Sequence, residues 1–196
     1  MKTTESFVRA PVCRGHSIHL ELPYVPRLPA RADQPPVYRA MGIDFITHAF
    51  KTASQTDPSA KLYYNDFNIE RCCNAKINAT LTMLKTVTAA GAPVHGVGMQ
   101  AHSRVGKSPS KREMKDAMAK FLELVNEVAL TEVDIRHTQL PASTQDWEQQ
   151  ASEYGEVVGA CLETPKCVGI TVWDFTDQVC HVLGLGAEAA ERSSAN

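Results

Sequence analysis

Four apolar stretches, residues 61–68, 94–102, 128–136 and 167–174, recur along the chain with helical patterns between them. Their spacing of about 33–40 residues is the period of βα units in a parallel sheet. Each stretch starts apolar and ends in polar or aromatic residues. That polarity belongs to a TIM-type barrel, whose chemistry gathers at the C-terminal ends of the strands. A complete barrel takes eight strands and roughly 250 residues. The 196 residues here supply about half of one. The expected fold is α/β, a partial TIM-type (β/α)8 barrel.

The helical patterns are specific. Tyr38, Met41, Phe45, Ile46, Ala49, Phe50 and Ala53 recur at helical spacing up to Asp57-Pro58. Ile77, Leu81, Leu84 and Thr88 mark a second helix, closed by Gly91. Ser110 can cap a third, with Met114, Met118, Phe121, Leu122 and Val125 on one stripe. Ser143 and Asp146 form a capping box for a fourth, which carries Trp147, Ala151, Tyr154, Val158 and Cys161. Residues 1–36 hold six of the eleven prolines and read as an irregular arm, in which only 17–22 alternates like a strand. Residues 37–183 form the expected half-barrel, and 184–196 a frayed tail.

Composition excludes several classes. The chain is 43% hydrophobic and 21% charged with net charge −2, which fits one soluble domain without a basic field for nucleic acid. No apolar run reaches the ~18 residues of a membrane span. The first seven residues lack the apolar core of a signal peptide. Six cysteines occur without a CxxC pair, which argues against a structural zinc site. Cys161 and Cys167, six apart at a helix end and a strand start, fit either a short disulfide or two buried thiols.

Strict alternation along 128–136 places Val128, Leu130, Glu132 and Asp134 on one face and Ala129, Thr131, Val133 and Ile135 on the other. In isolation two such carboxylates would face water or cap a helix. The neighbouring strand ends give them company: Asn65, Asp66, Phe67 and Asn68, then Gln100 and His102, then Trp173. A carboxylate beside an imidazole and an indole suits sugar chemistry. The indole stacks on a pyranose, amides bind hydroxyls, and the carboxylate meets an oxocarbenium-like carbon.

These residues lie in KLYYNDFNIE (61–70), GVGMQAH (96–102), TEVDIR (131–136) and VWDFTD (172–177). In those motifs, in their order, the chain resembles glycoside hydrolase family ten, the endo-1,4-β-xylanases, and fungal members above all. The resemblance runs from about residue 37 to 177. It implies barrel strands five to eight and retaining cleavage of the xylan backbone. Glu132 would be the nucleophile, held ionised and oriented by His102 and Asp134. Asn65 and Gln100 would contact substrate, and Trp173 would floor the site. A Cys161–Cys167 disulfide and an extracellular location are implied as well. The partner would be xylan or a xylo-oligosaccharide, with no cofactor and no metal.

The chain also departs from the family pattern. Phe67 stands for a usual Tyr, and His181 for a second Trp. Strands one to four are missing, and with them the acid/base Glu of a Val-Asn-Glu motif. Val125-Asn126-Glu127 spells that motif, but about 16 Å of strand separates Glu127 from Glu132, against the ~5–5.5 Å of a retaining pair. Alternation also sets Glu127 on the opposite face. Glu21 is the other candidate acid, without a recommending context. The expectation is an incomplete, poorly active or inactive xylanase-like chain whose open edges favour self-association. The alternatives are a non-catalytic xylan-binding remnant or a partial gene model. A metal-dependent hydrolase with His102, Glu132 and Asp134 as ligands is a third reading, weakened by the absence of an H-x-H pair.

Overall fold

The computed structural model describes residues 17–21 and 36–173. In chain order the elements are β1 (Ser17–Glu21), α1 (Pro36–Met41), α2 (Asp44–Thr56), β2 (Lys61–Asp66), α3 (Ala75–Ala89), β3 (Gly96–Met99), β4 (His102–Arg104), α4 (Lys111–Leu122), β5 (Glu127–Arg136), α5 (Thr144–Leu162) and β6 (Cys167–Val172). Every strand pairing is parallel. The sheet runs β1-β2-β3-β5, and β5 is its pivot. The first half of β5 pairs with β3, its second half with β4, and β6 lies on its other side. The result is a parallel half-barrel, the partial TIM-type architecture expected.

Alternation explains the layering. Leu62 and Tyr64 of β2, Val97 and Met99 of β3, and Val128 and Leu130 of β5 face the helices. They pack there against Phe45, Ile46 and Phe50, against Ile77, Met83, Leu84 and Val87, and against Met114, Met118 and Phe121. The other face carries Lys61, Tyr63 and Asn65, which bond across to β5. Helix starts are fixed locally. Asn74 caps α3 by accepting from the Ile77 N–H. Ser110 with Glu113, and Ser143 with Asp146, form capping boxes on α4 and α5.

Three local expectations fail for identifiable reasons. The helix across 38–53 is broken: Gly42 takes φ +61°, and α2 restarts at Asp44. The strand across 94–102 is interrupted at Gln100-Ala101, where Ala101 has φ +63°, and resumes as β4. Alternation along β5 also slips. The core side chains are Val128 and Leu130, then Val133 and Ile135, and the register with β6 shifts between Leu130 and Val133. This bulge turns both Thr131 and Glu132 toward Asn65. Glu127 bonds Tyr63, which shares a face of β2 with Asn65, so Glu127 and Glu132 lie on the same face rather than on opposite ones.

Nor is the arm wholly separate from the sheet, since β1 pairs with β2 from Ser17↔Lys61 to Glu21↔Asn65. Apart from Pro36, which opens α1, the rest of the expected arm, residues 174–177 of the last motif, His181 and the expected 184–196 tail lie outside the described residues.

Candidate active site

Four segments meet around the Glu132 carboxylate. The Asn65 amide, at the end of β2, donates to Oε1 at 3.1 Å. Its own Oδ1 accepts from the Thr131 hydroxyl at 2.6 Å, which fixes which way the amide points. His102, at the start of β4, places Nε2 3.2 Å from Glu132 Oε2 and Nδ1 against Asp134 Oδ1. The Trp173 ring stands edge-on to the His102 ring, centroids 5.5 Å apart at 88°. The backbone supports this cluster. The Glu132 N–H donates to the Gln100 carbonyl at 3.1 Å, and the Trp173 N–H to the Val133 carbonyl at 3.1 Å.

The charge pattern follows. Each nitrogen of the His102 ring faces a carboxylate, so both must donate, which only the imidazolium can do. Burial lowers the His102 pKa, but hydrogen bonds to Asp134 and Glu132 and their charges raise it more, to about 9. Glu132 thereby gains a positive partner, which favours its ionised form. The space around it is tight. A Cβ on Gly98 would sit 2.4 Å from Asn65 Oδ1 and 2.9 Å from Thr131 Cγ2. Only glycine lets the Asn65–Thr131 pair pass under Glu132.

The candidate residues fall unequally. Glu132, His102, Asp134, Asn65 and Trp173 come together. Gln100 joins them through its backbone, and its side-chain amide has no partner among the described residues. Asn65 is buried and bonded to Thr131 and Glu132, so its amide is directed at protein. Phe67 is half exposed, with Lys76 Nζ 3.7 Å from its ring centroid. Cys161 and Cys167 are bonded, Cα atoms 5.2 Å apart, and Cys72 and Cys73 are bonded too. Glu127 is held away from Glu132 by Lys61 and Tyr63. Burial works to raise its pKa, but those two partners prevail and lower it. Among the described residues no group of three or more His, Cys, Asp and Glu side chains is arranged to hold a metal ion.

Sequence reasoning missed two neighbours. His19 stacks on Tyr63, ring centroids 4.8 Å apart at 12°. Burial lowers its pKa while the charge of Glu132 raises it, which brings this ring within electrostatic reach of the site. The alternation of 17–22 carried that signal, but nothing in the proline-rich arm showed which strand would receive it. The backbone of Glu21 lies in register with Asn65. Glu70 was passed over although it closes the first motif.

Known proteins similar to this chain fall in one family. The family model described as glycosyl hydrolase family 10 matches residues 28–189. Endo-1,4-beta-xylanase 1 of Humicola insolens is 44% identical over 140 residues, 71% of this chain and 32% of that protein. Endo-1,4-beta-xylanase D of Talaromyces funiculosus is 44% identical over 147 residues, 75% of this chain and 36% of that protein. The crystal structure of a Bispora sp. MEY-1 GH10 xylanase with xylobiose superposes with TM-score 0.71 at 34% identity, covering 76% of this chain and 46% of that one. Xylanase 10B from Thermotoga petrophila RKU-1, in complex with xylobiose, gives TM-score 0.67 at 31% identity over 73% and 43% of the two chains. The chain spans about a third of the length of the curated relatives it matches.

Proposed function

This chain belongs to glycosyl hydrolase family 10, and from that premise we propose that it carries the nucleophile half of a retaining endo-1,4-β-xylanase site. The observation that supports this reading is the pair of contacts that hold Glu132, Asn65 on one oxygen and the His102–Asp134 pair on the other. A carboxylate fixed at both oxygens, with a cation at hand, is prepared to attack an anomeric carbon. The C1–O bond to the leaving sugar breaks as the Glu132–C1 bond forms. Water then cleaves the glycosyl-enzyme. Trp173 supplies an apolar surface beside the reacting ring, and the Gln100 amide a hydrogen-bonding group for a hydroxyl. Xylan or a xylo-oligosaccharide is the substrate class. The Cys161–Cys167 bond supports an oxidising, extracellular location.

The residues assigned here do not include the general acid, whose help is typically worth ~10²–10⁴ in rate. We expect undetectable hydrolysis of xylan by this chain alone, but slow glycosylation by an activated aryl xylobioside, whose leaving group needs no proton. A 2-fluoro form of that reagent should label Glu132, and Glu132→Gln should remain unlabelled. Label on another residue would overturn the assignment. Brisk xylan turnover by the pure chain would move the acid role to a group such as Glu21, which β1 sets in register with Asn65. A second reading, xylan binding without turnover, uses Trp173 and the Gln100 amide, which has no partner among the described residues, as sugar contacts. It predicts xylohexaose binding by calorimetry and no label.

A further inference from the structure

Ala101 is the residue on which the site turns. It is not glycine, yet it takes φ +63°, a region L-residues occupy only where their surroundings enforce it. On one side of it, the Gln100 carbonyl receives the Glu132 N–H, and the Gln100 N–H is held by the Asp66 carbonyl at 3.0 Å. On the other side, the His102 ring bridges Glu132 and Asp134. A change in the Ala101 dihedrals would therefore move both neighbours relative to the nucleophile.

One side chain fixes those dihedrals. Glu70, in the loop after β2, is 5% exposed, and its Oε1 accepts the Ala101 N–H at 2.8 Å. Nothing in the reaction proposed above uses Glu70. A carboxyl is costly to bury where an apolar residue and a regular strand would serve. Burial pushes its pKa up to about 7, against the backbone bonds from Ala101 and from Glu70 itself; the charge of Asp66 adds to the rise and that of Lys76 opposes it.

We propose that Glu70 is a positioning residue of the Glu132 site: its buried carboxyl clamps the Ala101 amide and holds the break between β3 and β4 in the turn that aims His102 at Glu132 and Asp134. This rests on the reading of Glu132 as nucleophile, but the clamp can be measured without turnover.

The test compares Glu70→Gln, which retains an acceptor oxygen, with Glu70→Leu, which has similar volume and none. His102 is followed by NMR titration, and Glu132 by its rate of labelling with the 2-fluoro aryl xylobioside. Glu70→Gln should keep the His102 pKa near 9 and labelling within about threefold of the parent. Glu70→Leu should move His102 toward its ordinary value and slow labelling tenfold or more, since ~1 Å of misplacement can cost on the order of 10²-fold. Adding Ala101→Gly to Glu70→Leu should restore both readouts, because glycine takes positive φ without a clamp. That double variant also decides the matter where Glu70→Leu alone does not fold. A Glu70→Leu protein that melts lower but titrates and labels like the parent would overturn the proposal and leave Glu70 a purely structural group. A double variant without restoration would overturn it equally. Failure of the parent to label at all would count against the nucleophile reading, and the His102 titration would still report on the clamp.

Discussion

At the scale of single residues, the site is a set of close constraints with measurable signs. His102 sits at about 9 and Glu70 at about 7 in the folded chain, both above their ordinary values. A group raised on folding contributes stability below its unfolded pKa and loses it as pH rises through its folded value. Stability should therefore fall from about pH 4.5 to 7 through Glu70 and from about 6.5 to 9 through His102. Solvent reaches part of the His102 ring, which discounts its share, and the combined loss is on the order of a few kcal/mol. Glu127 is lowered on folding, and its contribution disappears only as pH drops further. Urea melts at pH 5, 7 and 9 measure the trend, and a flat or rising series would contradict it. Gly98 offers an independent check. Gly98→Ala must displace the Asn65 oxygen 2.4 Å from the new methyl, at about 1–3 kcal/mol, and should slow labelling of Glu132. Gly155→Ala meets nothing within 4 Å in α5. It should stabilise by up to about 1 kcal/mol through helix propensity and leave labelling unchanged.

At the scale of elements, what the sequence revealed is what local chemistry decides. The cap at Ser110, the capping box at Ser143, the apolar stripes of α2 and α4, and the apolar-to-polar run of each strand all depend on residues within a few positions of one another. The strand-end motifs could be read too, because the resemblance fixed their order. The breaks could not. Ala101 turns because Glu70, 31 residues away, holds it, and the bulge at Thr131-Glu132 answers to Asn65, 66 and 67 residues away. No periodicity encodes such partners, so the alternation rule placed Glu127 and Glu132 on opposite faces. The Cys161–Cys167 bond joins the end of α5 to the start of β6, the strand that leads into Trp173. Closing so short a loop is worth about 2 kcal/mol. Replacing both cysteines with Ala should lower stability by about that much and loosen the Trp173–His102 contact, visible in tryptophan fluorescence and near-UV CD. An unchanged melt and spectrum would show that packing alone holds β6. On α3 the Thr80 hydroxyl is fully buried without a partner among the described residues. Thr80→Val should therefore raise stability by about 1 kcal/mol, and a drop in the denaturant midpoint would refute this.

At the scale of the whole molecule, the sheet ends matter most. A closed barrel has no edges, whereas among the described residues β1 pairs with β2 alone and β6 with β5 alone. On β6 two large apolar side chains face outward, Val168 at 47% and Val172 at 63% exposure. An open strand with apolar side chains recruits another strand unless charge, proline or a covering segment blocks it. The net charge of −2 supplies little repulsion between copies. Lys166 guards only the approach to β6, because the strand Cys167–Val172 itself carries no charge. The chain is therefore expected to self-associate through β6, with a mass that grows with concentration in light scattering. Val168→Lys with Val172→Lys places charges on that strand without touching Trp173 or His102. The pair should shift the population toward monomer while leaving the rate of Glu132 labelling intact. A parent chain that stays monomeric across the concentration series, with a sharp cooperative melt, would mean that β6 is covered within the same chain. The lysine pair would then lower stability, because it would disrupt that cover rather than an interface between copies.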